Sequence, residues 1–163
     1  MRARADGPAR PVPDAFFYGG FTLIEVLLAA AVIVTLAGIA IPLYFASVNE
    51  ARNVRARADI RAMGATIDVR CLEADACPAS LADVGFAGRL DPWGNPYEYL
   101  KLDDIAAKGK GRKDKNLVPI NSDYDLYSSG PDGKSESPLT ANASRDDIVR
   151  ANNGAYVGLA ADY

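Results

Sequence analysis

The chain has 163 residues, 49% hydrophobic and 24% charged, a size and balance that fit one ordinary globular domain or one domain with an appendage. Its formal net charge is −3 and its pI about 5.0, which argues against a dedicated nucleic-acid binder. It has no histidine and two cysteines, which excludes Ser-His-Asp and Cys-His catalysis, His-bearing zinc sites and a dense disulfide framework.

Residues 1–20 read as a processed leader, with Arg2, Arg4 and Arg10 against Asp6 and Asp14, several prolines and no apolar run. A secretory signal places its apolar core before the cut. Here the apolar run starts after Gly19-Gly20, so a cut behind Gly20 leaves the membrane segment on the mature chain. An uncleaved signal anchor with a disordered tail is the alternative that the residues leave open. The run extends from Phe21 to Phe45, and no charge interrupts Val26 to Asn49. About 20 apolar residues cross a bilayer, so residues 21–46 are predicted to span the membrane and residues 47–163 to form a soluble head.

Glu25 stands at the edge of this run. A carboxylate near the bilayer centre costs at least ~2 kcal/mol, less near the interface, and such groups usually have a partner. Cleavage behind Gly20 would free the Phe21 ammonium about one helical turn away, in the same chain or in a neighbour. A neighbour's ammonium would make Glu25 a register pin between packed subunits. An interfacial, snorkelling acid is the alternative.

Gly20-Phe21-Thr22-Leu23-Ile24-Glu25-Val26 resembles the prepilin signature of the type IV filament superfamily. The resemblance implies that a membrane-embedded prepilin peptidase cuts after Gly20 and methylates Phe21, and that Glu25 is the assembly glutamate. It also matches Pro42 to a proline at which the family's long helix bends or melts in the filament. A proline there removes one helical hydrogen bond and crowds a carbonyl one turn back. Arg52, Arg55, Arg57 and Arg61 follow the apolar run, and the positive-inside rule alone would place them in the cytoplasm. The family motif implies the opposite side, and large domains translocate regardless of such charges.

Helix signals continue from Ser47 to Leu72. Ile60, Met63, Ile67 and Cys71 recur at three- and four-residue spacing, a face predicted to pack on a C-terminal sheet. From Phe21 to Leu72 the helix would measure ~78 Å at 1.5 Å per residue. The rest of the chain is too small to cover it, so its first half must lie in lipid or against copies of itself. Cys71 and Cys77, if exported, are expected to form a disulfide pinning the helix end to the next loop, with two free thiols as the alternative. Pro78-Ala79-Ser80-Leu81 reads as a short helical turn. Asp91-Pro92-Trp93-Gly94-Asn95-Pro96 reads as a tight turn, followed by strands over 97–102 and 123–127. Between them, Lys108 to Lys115 reads as a solvated hairpin tip rather than a binding patch.

The Asp91–Tyr97 block, taken with Asp125-Leu126-Tyr127-Ser128-Ser129-Gly130-Pro131-Asp132-Gly133, is similar to the major pseudopilin of type II secretion systems. In that family the following loop binds one calcium ion. Here residues 128–153 are rich in Ser, Asp, Asn, Gly and Pro. From Asn121 onward seven acids face three bases. Ca²⁺ takes six to eight oxygens from such loops. Counted from Asp132, Ser137 and Ala143 stand where an EF-hand needs Gly and Glu, so the loop is not an EF-hand. The resemblance implies the Ser129 carbonyl, Asp132, and Asp146 or Asp147 as ligands.

The expected fold is α+β and pilin-like, a long N-terminal helix on a small antiparallel sheet with a calcium loop. The expected function is structural, not enzymatic. Single-pass subunits in the inner membrane, heads in the periplasm, would polymerise into a helical pseudopilus that exports folded proteins. Minor pseudopilins and an ATPase-driven inner-membrane platform would assist, and no nucleic acid is expected. A surface type IV pilin for adhesion, motility or DNA uptake is the first alternative. A membrane-anchored periplasmic enzyme or calcium-binding protein is the second, although no carboxylate or Ser/Lys arrangement suggests catalysis.

Overall fold

The computed structural model describes residues 19–103 and 105–163; the leader assigned above lies, up to residue 18, outside them. Helix α1 spans Leu23–Ala74 and includes Pro42. The chain divides into two compact units, Met1–Pro42 and Leu43–Tyr163. In the first unit the apolar side chains of α1 all face outward, from Leu23 at 80% exposed to Ile41 at 55%. Nothing among the described residues covers them. Among the described residues α1 is the one helix long and apolar enough to cross a membrane.

The second unit is built around the rest of α1. Its buried residues are Ala56, Ile60, Met63, Gly64 and Ile67, the predicted face, with Cys71 half-buried at its end. They pack against Tyr97, Tyr124, Leu126 and Ile148. Burying each large apolar side chain contributes roughly 1.5–3 kcal/mol, which is what fixes the helix on the sheet.

Among the described residues the sheet has four strands, β1 (Tyr97–Lys101), β2 (Tyr124–Ser128), β3 (Ile148–Ala151) and β4 (Tyr156–Leu159), in the order β1-β2-β3-β4 and antiparallel throughout. Tyr97 pairs with Ser128 and Lys101 with Tyr124; Ile148 pairs with Leu159. β1 and β2 match the predicted runs within one residue. β3 corrects the sequence reading, which left residues 148–151 in the acidic loop. All four β3 residues are buried. Ile148 faces the α1 cluster, while Val149 and Ala151 join a second cluster with Ile120, Leu139 and Ala160. A strand covered on both faces carries no alternating signal.

Two further elements differ from expectation. The short turn after the disulfide loop is a 3-10 helix at Leu81–Val84, three residues later than predicted. Its start is set by Ser80, whose N–H donates to Asp83 Oδ2 at 2.9 Å in a capping box. The Lys108–Lys115 segment is a solvated hairpin tip only in part: Lys108 to Lys110 and Lys115 are exposed, and Asp114 pairs with Leu117 across a tight antiparallel turn. A short helix, α2 (Ile105–Lys110), leads into it, and Gly111 and Arg112 are then buried. Lys113 N–H donates to the Ser137 carbonyl at 3.0 Å, and Leu139 N–H donates back to Lys113 at 2.8 Å. The middle of the segment therefore pairs with the acidic loop, and its two ends stay in solvent.

Candidate functional site

The candidate residues fall mainly at two places, the start of α1 and the acidic loop of the head. Gly20 and Phe21 are exposed and precede the helix, so the bond between them lies in non-helical backbone. Thr22 is the N-cap. Its N–H and its hydroxyl donate to Glu25 Oε2 at 2.8 and 2.7 Å, and Glu25 N–H lies 3.3 Å from Thr22 Oγ1. This is a capping box. Glu25 thus has a local partner that the sequence reading did not name, although Thr-x-x-Glu before an apolar run is the signal that announces one. The carboxylate satisfies the Thr22 N–H and sits at the positive end of the helix dipole, while the Thr22 hydroxyl oxygen takes the Glu25 N–H.

In the head, the two turn motifs interlock. Asp91 Oδ1 accepts the N–H groups of Trp93 at 3.0 Å and Asn95 at 2.8 Å, and its Oδ2 accepts the Ser128 hydroxyl at 2.5 Å. Asn95 Nδ2 donates to the Gly130 carbonyl at 2.8 Å. The Asp91–Pro96 turn is therefore the brace for the start of the acidic loop. Gly130 has φ +63°, and a Cβ there would lie 2.4 Å from the Asp146 carbonyl oxygen. Only glycine lets the two arms of the loop approach this closely.

Of the four residues assigned to calcium, the structure brings Asp132 and Asp146 together. Asp132 N–H reaches Asp146 Oδ2 at 3.4 Å, and Asp132 Oδ1 accepts the Lys134 N–H at 2.8 Å. Ser129 is buried at the head of the same loop. The Asp132–Asp146 contact is between the Asp132 backbone and the Asp146 side chain, while the Asp132 side chain caps its own turn through Lys134. Among the described residues no set of three or more acidic or thiol side chains is placed to hold a metal ion.

Asp147 is placed differently. It is fully buried, and Oδ2 accepts from Arg112 Nη2 at 2.5 Å and from the Ser135 hydroxyl at 2.6 Å. Burial pushes its carboxyl up to about 6, against the pull of Ser135 and Arg112. Arg112 is itself 3% exposed. Its Nη1 also donates to the Ser135 hydroxyl and, at 2.7 Å, to the Glu136 carbonyl. Its guanidinium stacks 4.3 Å from the Tyr127 ring centre, and its backbone N–H donates to Asp125 Oδ2 at 2.6 Å. Burial raises the Asp125 carboxyl above the usual carboxylate range, opposed by that bond and by one from Asn121. The two aspartates left open above are thus placed differently: Asp146 Oδ2 accepts the Asp132 N–H, and Asp147 faces a guanidinium. Sequence reasoning missed Arg112, because it stands in a basic, glycine-containing run that reads as solvated.

A second ion-pair network ties α1 to the sheet. Arg150, 3% exposed, donates to both Asp123 oxygens at 2.9 and 2.7 Å and stacks 3.9 Å from the Tyr124 ring centre. The Tyr124 hydroxyl donates to Asp68 on α1 at 2.7 Å. Cys71 and Cys77 are joined by a disulfide at the end of α1.

No family model and no solved structure matches the chain. Among known proteins it is similar to the type II secretion system core protein G of Pseudomonas aeruginosa, 30% identical over 136 aligned residues covering 71% of this chain and 84% of that protein.

Proposed function

The chain belongs to the major pseudopilins, the family of type II secretion system core protein G, and from that premise we propose how it works. It is a membrane-anchored structural subunit of a pseudopilus, with the pilin-like α+β fold. Residues 21–46 hold it in the inner membrane and the head, residues 47–163, lies in the periplasm. The prepilin peptidase cuts between Gly20 and Phe21 and methylates Phe21. The new ammonium lies beside Thr22 and Glu25, in reach of the same chain or of the next subunit. Glu25 then serves two purposes, capping its own helix and neutralising an ammonium inside the apolar bundle. Pro42, which lacks a backbone donor, is the point at which the long helix yields during packing.

Assembly is homo-oligomeric and helical, primed by minor pseudopilins and driven by an ATPase-linked inner-membrane platform. Growth of the filament moves folded proteins outward, and the chain performs no covalent chemistry itself. Calcium is held by Asp132, Asp146 and the Ser129 carbonyl, where it supplies the positive charge that ties the two loop arms together.

The observation that supports this reading best is the similarity to core protein G over most of that protein's length, joined to an uncovered apolar helix that begins with Thr22 and Glu25. The test is deletion and complementation. Wild type restores enzyme secretion, and Glu25→Ala is cleaved at Gly20, checked by mass spectrometry, but builds no filament and secretes nothing. Normal filaments from Glu25→Ala overturn the assembly role. Loss of long surface fibres with intact secretion would select the surface-pilus reading instead. For the metal, calcium raises the melting temperature of the full chain in detergent and Asp132→Ala removes the rise; no rise at millimolar calcium overturns it.

A further inference from the structure

The acidic loop carries a cation of its own. Arg112 reaches three points on the far arm, the Ser135 hydroxyl, the Glu136 carbonyl and Asp147 Oδ2, from a segment more than twenty residues earlier in the chain. Both members of the Arg112–Asp147 pair are buried. The arm is also stitched to the Arg112 segment through backbone bonds from Lys113 and Leu139 and through the Ser137 hydroxyl, which donates to the Gly111 carbonyl at 2.7 Å. On the other side of the loop, Asp146 Oδ2 accepts the Asp132 N–H and Asp132 Oδ1 accepts the Lys134 N–H, and no ion pair to either carboxylate is seen among the described residues.

We propose that Arg112 is the resident cation of this loop: it holds the Ser135–Asp147 arm folded without metal, and it withdraws Asp147 from any calcium site. A divalent ion on Asp147 would sit beside a buried guanidinium already bonded to the same carboxylate, where two like charges repel with little solvent to screen them. Asp147 Oδ1 and Arg112 Nε have no hydrogen-bond partner among the described residues. The pair is thus completed by the guanidinium on one oxygen only, which makes it a clamp that fails when either member is removed. The second half of the proposal rests on the calcium reading above; the first half does not.

The experiment uses the mature full chain in detergent micelles. Lys134 and Arg145 are exposed and flank the clamped arm, so trypsin cleavage at these two sites, mapped by mass spectrometry in EGTA, reads whether the arm is folded. Arg112→Met is expected to be cut at least tenfold faster than wild type there. A wild-type rate overturns the clamp. Should Arg112→Met not fold, Arg112→Lys carries the test, since it keeps the charge without the two-armed reach to Ser135 and Asp147. Cleavage at least threefold faster supports the clamp and a wild-type rate overturns it. Calcium affinity is measured by titration calorimetry with calcium alone. Asp147→Asn breaks the clamp, so it is expected to be cut at least threefold faster than wild type in EGTA and to lose less than tenfold in calcium affinity, whereas Asp132→Asn is expected to bind at least tenfold more weakly with wild-type cleavage. A tenfold loss in Asp147→Asn, with cleavage in EGTA unchanged, makes Asp147 a metal ligand and overturns the proposal. If wild type binds no calcium, the calcium reading fails, and the clamp is judged on the cleavage rates.

Discussion

Replacing Gly130 with alanine tests the packing of the loop arms directly. The position has φ +63°, and the added methyl would lie 2.4 Å from the Asp146 carbonyl oxygen and 3.2 Å from Asp146 Oδ2. The left-handed backbone alone costs a non-glycine residue ~1–2 kcal/mol. The contact is with backbone, which cannot rotate out of the way, so the arms must separate; overpacking of this kind costs ~1–3 kcal/mol. Together these give about 3 kcal/mol, or a fall in melting temperature of roughly 10 °C for a domain of this size. Trp93 is the chain's single tryptophan and lies in the turn that braces Gly130 through Asn95, so its fluorescence in a thermal melt, in chelator, reports the event. Gly109 is the control. It lies in α2, and a methyl there meets nothing within 4 Å, so Gly109→Ala should stabilise by up to about 1 kcal/mol. A Gly130→Ala melt within 1 °C of wild type would refute the claim that the loop arms meet as described.

Acid should weaken the Arg150 network in a defined window. Burial tends to raise the Asp123 carboxyl, but the bonds from Arg150 outweigh it and hold the group below its ordinary range. Its contribution is complete above about pH 4, the unfolded value, and is lost as pH falls through the lower folded value. Asp123→Asn should therefore melt below wild type at neutral pH and converge with it as pH falls through that lower folded value; an unchanged gap would contradict this. Ile67→Ala in the α1 core should cost ~2–5 kcal/mol in urea titrations, whereas Val69→Ala, 55% exposed, should cost under about 0.5 kcal/mol. Similar losses at the two positions would misplace the buried face. Removing the Cys71–Cys77 disulfide, which spans six residues in sequence, with a double Cys→Ser variant should cost about 2 kcal/mol from loop closure in the unfolded chain. Identical melts under non-reducing conditions would rule that out.

The apolar run from Phe21 to Phe45, the buried stripe at Ile60, Met63 and Ile67, and the strands near Tyr97 and Tyr124 were all readable from residue order. Each is a local, repeating pattern, and solvent enforces it wherever the chain goes. Thr22-x-x-Glu25 is equally local, since a hydroxyl three residues before a carboxylate at a helix start is a capping pattern in its own right. The acidic loop is different in kind. Whether an aspartate meets a metal, water or an arginine depends on which distant segment the fold brings beside it. Asp146 and Asp147 are adjacent and chemically identical, yet one accepts the Asp132 N–H and the other is buried against Arg112, a residue 35 positions earlier. Composition made Arg112 look solvated, because a run of lysines and glycines has no apolar period to bury. Only the pairing of that run with Ser137 and Leu139, across the sheet's far side, took a single charge out of water and set it against the one carboxylate that could accept it.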